Sequence, residues 1–168
     1  MATTLLLDLD ALRAVLGYCP TTGRFWWKKS RGRAKAGSDA GNVDPDTGYV
    51  RIRVLGKLVY AHRLAWAFVT GAWPAHDVDH RNCKRTDNRF RNLRPATDAE
   101  NARNSTTPKN SQSGLKGAYF YTRDAVWVSE ITVNRKKIYL GRHPTKEAAH
   151  AAYCRAAEKH FGQFARAA

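Results

Sequence analysis

The chain has 168 residues, with 29 Lys and Arg against 14 Asp and Glu, a net charge of +15 and a pI near 10.2. That length suits one compact domain or two small ones, and the cationic excess predicts a polyanionic partner, nucleic acid by default. Cys19, Cys83 and Cys154 lie far apart with no CxxC pair, which argues against a disulfide framework or a thiolate zinc site. No apolar run approaches the ~18 residues of a membrane span, and Met1 to Leu7 lack the basic start and cleavage site of a signal peptide.

In chain order, Leu9, Leu12, Val15 and Leu16 recur at helical spacing and predict a short helix from Asp8 to Gly17. Pro20 to Gly23 reads as a turn, and Arg24 to Lys28 as an aromatic strand. Lys29 to Gly41 is basic, Gly-rich and aperiodic, and reads as a mobile loop; its Lys28 to Lys35 stretch forms a basic patch. Tyr49 to Val54 alternates apolar residues with Arg51 and Arg53, a half-buried strand that turns at Gly56 into a hairpin partner, Leu58 to Ala61. His62 to Thr70 predicts a helix stopped by Gly71, with His62 in a structural role. Trp26, Trp27 and Trp66 are expected in the core.

A short strand, Asp77 to His80, is followed by a polar loop to Asn92, a second strand from Leu93 to Thr97, and a helix capped by Asp98 that carries Asn101. The polar stretch after Asn104 reads as a linker, placed at 106–113, between domains at 1–105 and 114–168. Three strands are predicted beyond it: Gly117–Thr122, Ala125–Val133 and Lys136–Arg142, the last two joined at Asn134-Arg135. Thr145 then caps a helix with a stripe of Ala148, Ala149, Ala152, Tyr153, Ala156 and Ala157, ended by Gly162.

The chemistry concentrates between residues 77 and 101. Asp79 and His80 are adjacent, Asn92 lies twelve residues after the histidine, and Asn101 twenty-one. Alternation along a strand turns Asp79 and His80 to opposite faces, so a site using both must lie at a strand end. Asp79 offers a negative oxygen ligand and Asn101 a neutral one, enough for a magnesium ion that keeps waters and takes phosphate oxygens. Neutral His80 can take a proton from an attacking water, and Asn92 can hold the loop and orient the imidazole. This set can hydrolyse a phosphodiester, with arginines to hold the backbone.

The run DHRNCKRTDNRFRNLRPATDAEN resembles the HNH endonuclease motif of phage and intron-associated homing enzymes, and HRLAWAFVTG with Trp73-Pro74 is similar to their lead-in. The resemblance covers roughly residues 10–105. It implies an α+β protein with a ββα-metal core, one divalent ion (Mg2+ or Mn2+), His80 as general base, Asn92 as the central asparagine, and Asp79 with Asn101 as metal ligands. Arg81 stands where an aliphatic residue is usual, and Cys83 where a glycine is usual.

Residues 114–165 resemble the Apetala-type DNA-binding domain of ethylene-response factors, on Gly117, Trp127 to Ile131, Leu140-Gly141 and the helix ending His160-Phe161-Gly162. That family implies a three-stranded sheet laid in the major groove, with one helix packed behind it. Trp127, Ser129 and Ile131 should face the helix with Ile138 and Leu140; Tyr119, Tyr121, Lys137 and Tyr139 should face DNA, although the family usually has arginines at the positions of Tyr119, Tyr121 and Thr132. Arg51, Arg53, Arg81 and Arg89 are further candidate DNA contacts. The expectation is a homing-type nuclease acting on double-stranded DNA, phage-encoded and cytoplasmic in its bacterial host, with no membrane partner. The alternatives are a DNA-binding regulator with a silent nuclease fold, and a packaging-associated nuclease partnered by a terminase.

Overall fold

A computed structural model describes residues 7–103 and 111–165. The chain divides into two compact units, Met1–Thr97 and Asp98–Ala168. Most of the expected linker, residues 106–110, lies outside the described residues.

The first unit opens with helix α1, Leu9–Val15, whose N-terminus is capped by the Asp8 carboxylate accepting from the Asp10 N–H. The helix stops short of the expected Gly17. Instead Leu16–Tyr18 becomes strand β1, antiparallel to β2, Phe25–Trp27. Pairing overrides the helical pattern because Gly17 has no side chain: a Cβ there would fall 2.1 Å from the Trp26 indole.

The expected mobile loop is a second correction. Residues 37–40 return along β2, with hydrogen bonds from Trp27 N–H to the Ser38 carbonyl, from Gly37 N–H to the Trp27 carbonyl and from Ala40 N–H to the Phe25 carbonyl. Satisfied backbone groups hold the segment despite its composition. A short strand β3, Asn42–Val43, then joins a three-stranded antiparallel sheet with β4, Val50–Val54, and β5, Lys57–Tyr60.

Helix α2, Ala61–Thr70, ends where Gly71 adopts φ 75° and donates its N–H to the Ala67 carbonyl. Left-handed backbone suits glycine, which has no Cβ to clash. Leu12, Leu16, Phe25, Trp27, Ile52, Val54, Leu64, Val78 and Leu93 form one core with small alanines of α2. Trp27 is buried there, while Trp66 packs at its margin. Strands β6, Asp77–His80, and β7, Leu93–Ala96, make an antiparallel ribbon of their own.

The second unit starts with α3, Asp98–Arg103. Asp98 is the first residue of that helix rather than its cap. Strands β8, Ala118–Tyr121, β9, Val126–Val133, and β10, Lys136–His143, follow as one antiparallel sheet with β9 central. Asn134 and Arg135 turn β9 into β10 with φ of 50° and 66°, as a tight two-residue hairpin requires. Helix α4, Lys146–Phe161, is capped by Thr145, whose hydroxyl accepts from the Ala148 N–H. Its buried residues, Ala149, Ala152, Tyr153, Ala157 and Phe161, face the sheet. Gly117 lets the chain pass against Tyr153, since a Cβ there would fall 2.0 Å from the ring.

Ser129 and Ile131 are buried as expected, but so is Val128 on the opposite face of β9, between its cross-strand neighbours Tyr119 and Arg142. The register also slips between Tyr139 and Gly141, so Leu140 occupies a bulge and does not continue the alternation of Ile138. Among the described residues no helix is long and apolar enough to cross a membrane. Cys19, Cys83 and Cys154 remain thiols.

Candidate active site

The β6–β7 ribbon positions the central residues. Its register sets Asp79 opposite Arg94 and His80 opposite Leu93. Asp79, His80 and Arg94 are all buried. The Arg94 Nε and Nη2 both donate to Oδ2 of Asp79, at 2.9 and 2.7 Å. The carboxylate is thereby anchored by a charge-assisted pair out of water.

His80 is the last residue of β6, at the strand end that the alternation argument requires. The chain turns immediately, with Cys83 N–H donating to the His80 carbonyl at 2.8 Å. Cys83 takes φ 57°. A glycine adopts that conformation without strain, which is the physical reason a glycine suits this position.

Asn92 is buried and ties the loop together. Its Oδ1 accepts from the Asn82 N–H at 3.0 Å, its Nδ2 donates to the Asp87 carbonyl at 2.8 Å, and its carbonyl accepts from the Arg81 N–H at 2.8 Å. The side chain found at the imidazole is Asn88, whose Oδ1 lies 3.3 Å from Nε2 of His80. Asp87 is bonded by Arg89 and by Asn82. Those bonds, that of Arg89 foremost, hold its carboxyl well below the usual carboxylate range.

Aromatic groups complete the pocket wall. His62 packs edge-on against His80 with centroids 5.1 Å apart, and Tyr49 lies 5.7 Å from His80 and 5.0 Å from His62. Arg85 stacks over Tyr49 at 4.8 Å. Burial holds the His80 imidazole below its ordinary pKa of 6.5, against the opposing pull of the Asn88 bond and the Asp79 charge. The same burial pushes His62 down to about 3, helped by His80 and Arg63. Both rings are therefore neutral near pH 7.

Neutral His62 has a consequence for stability. Its Nδ1 is buried with no hydrogen-bond partner, so a charge there would be costly. The unfolded chain takes up this proton near pH 6.5, whereas the folded chain resists until about 3. The stability tied to neutral His62 is thus complete above 6.5 and is lost as pH falls towards 3, by up to ~1.4 kcal/mol per pH unit. Urea midpoints should fall through that window. His62→Phe should flatten the fall, leaving the share due to His80; an unchanged slope would contradict the assignment.

The remaining expected residues divide by environment. Arg51 is tied to buried Asp44 at 2.7 Å, and Arg89 to Asp87, while Arg53 and Arg81 are exposed. In the second unit Tyr119, Tyr121, Lys137 and Tyr139 are exposed on one sheet face. The Tyr119 hydroxyl donates to Glu130 at 2.9 Å, and Lys137 pairs with the same carboxylate at 3.6 Å. Arg142, absent from the expectation, shares this face and pairs with Asp124 at 2.7 Å. Asn101 lies on α3 in the second unit.

Among the described residues no three His, Cys, Asp or Glu side chains converge as a metal cage. Magnesium does not require one, because one or two protein oxygens with phosphates and waters suffice. The carboxylate of Asp79 is a hard oxygen donor of that kind, and the donor set does not suit a thiolate-bound zinc.

Residues 59–103 match the family model for HNH endonuclease, a stretch that contains His62, Asp79, His80, Asn88, Asn92 and Asn101. The match supports an HNH nuclease acting on DNA. No match was found among curated proteins or among solved structures.

Proposed function

We propose that this chain is a metal-dependent endonuclease that hydrolyses phosphodiester bonds in duplex DNA, of the homing type. One observation carries the reading: a buried, neutral histidine at the end of β6, oriented by a side-chain amide and adjacent to an anchored carboxylate, within the HNH-matched stretch. His80 takes the proton of the attacking water, which neutral imidazole can do near pH 7, for a rate gain of ~10²–10⁴. Asp79 and Asn101 are the proposed ligands of a magnesium or manganese ion. When bound, such an ion supplies charge neutralisation at the scissile phosphate and the leaving oxygen. Asn92 holds the loop that carries Arg89 and Arg91 towards the phosphates.

The second unit is proposed as the Apetala-type docking module. Its exposed face carries Tyr119, Tyr121, Lys137, Tyr139 and Arg142, so contacts to phosphates and apolar base edges outweigh bidentate guanine reading. Arg53 and Arg81 add exposed cations in the first unit, whereas the ion pairs of Arg51 and Arg89 make those two weaker candidates.

The metal assignment has a direct test. Asn101→Ala should raise the magnesium concentration needed for half-maximal cleavage, because it removes one of two protein oxygens. Asp79→Asn should do the same while keeping an acceptor for Arg94. Magnesium titrations that superimpose on wild type for both variants would remove these residues from the metal site.

A further inference from the structure

The imidazole of His80 has two nitrogens, and base catalysis requires the lone pair on the one that faces water. Oδ1 of Asn88 lies 3.3 Å from Nε2. The Nδ2 of Asn88 donates to the Thr86 carbonyl at 3.3 Å, which fixes the amide with its oxygen towards the ring. An amide oxygen only accepts, so Nε2 carries the hydrogen and the lone pair is on Nδ1.

Asn88 is itself braced from a distant part of the chain. The Tyr18 hydroxyl donates to the Asn88 carbonyl at 2.8 Å, seventy residues away in sequence. Phe90 N–H donates to the Pro20 carbonyl at 2.9 Å. Gly23 lies so close that a Cβ there would fall 2.5 Å from the Arg89 nitrogen and 2.6 Å from the Asn88 carbonyl carbon. Three contacts from one turn therefore converge on residues 88–90. Burial raises the pKa of the Tyr18 phenol, so it remains a donor at any pH the protein meets.

We infer that Asn88 is a positioning residue that sets the tautomer of His80, and that the turn at residues 18–23 is the brace that holds Asn88 in place. The consequence for cleavage rests on the nuclease reading above; the tautomer does not. A loosened Asn88 would let the hydrogen occupy either nitrogen, and a ring with Nδ1–H cannot accept a proton there. Partners that orient a working histidine are typically worth 10–100-fold.

The test uses the full chain labelled with 15N-histidine, with the His80 signals identified by their loss in His80→Ala. Wild type should show the Nε2–H tautomer at neutral pH. Asn88→Ala should mix the tautomers and slow single-turnover cleavage at least ~10-fold, with DNA affinity unchanged. Tyr18→Phe, which removes one hydroxyl from the brace, should move both readouts the same way by a smaller amount. A wild-type Nδ1–H tautomer would overturn the proposal. So would an Asn88→Ala variant that keeps both the tautomer and the rate. A wild-type chain that cuts no DNA would count against the nuclease reading alone, since the ring-nitrogen signals decide the positioning role either way.

Discussion

His80→Ala should lower the single-turnover cleavage rate by at least ~10², the lower end of what a general base contributes, while duplex affinity changes little. The ring acts on water and not on the DNA backbone, so its removal takes away the proton acceptor without removing a phosphate contact. His80 is 3 % exposed and packs against His62 and Tyr49, so part of its loss will register as destabilisation. His80→Gln keeps more of that volume and a polar group but no useful base. Both variants should therefore be inactive, and His80→Gln should be the more stable. Cleavage at the wild-type rate in folded His80→Gln would remove the residue from the chemistry.

The largest stability effect is expected at the Asp79–Arg94 pair. Arg94 and Asp79 are 3 % and 6 % exposed, and two guanidinium nitrogens converge on one carboxylate oxygen. Arg94→Ala leaves the carboxylate buried without that counter-charge and should cost about 3–5 kcal/mol, a large part of the ~5–15 kcal/mol that a domain has. Replacing both partners, Asp79→Leu with Arg94→Met, should recover most of that stability, since buried pairs often gain little over apolar packing. The double variant should still fail to cut, because it lacks the oxygen ligand. Urea denaturation measures the first effect and cleavage the second. A cost below about 1 kcal/mol for Arg94→Ala would mean that the pair is more hydrated than its burial implies.

Much of this architecture was legible before any coordinates. β6 spans the residues expected from the pattern, Gly71 ends α2, Thr145 caps α4, and Asn134-Arg135 makes the hairpin turn, because each depends on neighbours a few residues away. Helix α1 ran too long in the sequence reading because periodicity cannot show that the Trp26 ring will lie over Gly17. The loop at residues 29–41 looked mobile because composition does not reveal hydrogen bonds to β2.

The candidate site was legible in its chemistry and not in its supports. Asp79, His80, Asn92 and Asn101 stood out by residue type and spacing. Arg94 did not, because its partnership exists only once β6 and β7 take their register. Asn88 sits in a run of polar residues where nothing distinguishes it from Asn82, and its brace comes from Tyr18. His62 was expected to be structural, and its burial fits that. Its edge-on contact with His80 required the fold, since α2 and β6 are far apart in sequence.

The most direct measurement of the central claim is cleavage of supercoiled plasmid DNA by the purified chain, with magnesium or manganese, with EDTA, and with His80→Ala in parallel. The account predicts nicked or linear product from the wild type with either metal, and none in EDTA or from the variant. Undiminished cleavage in EDTA without added metal, or intact plasmid at every magnesium and manganese concentration, would contradict it.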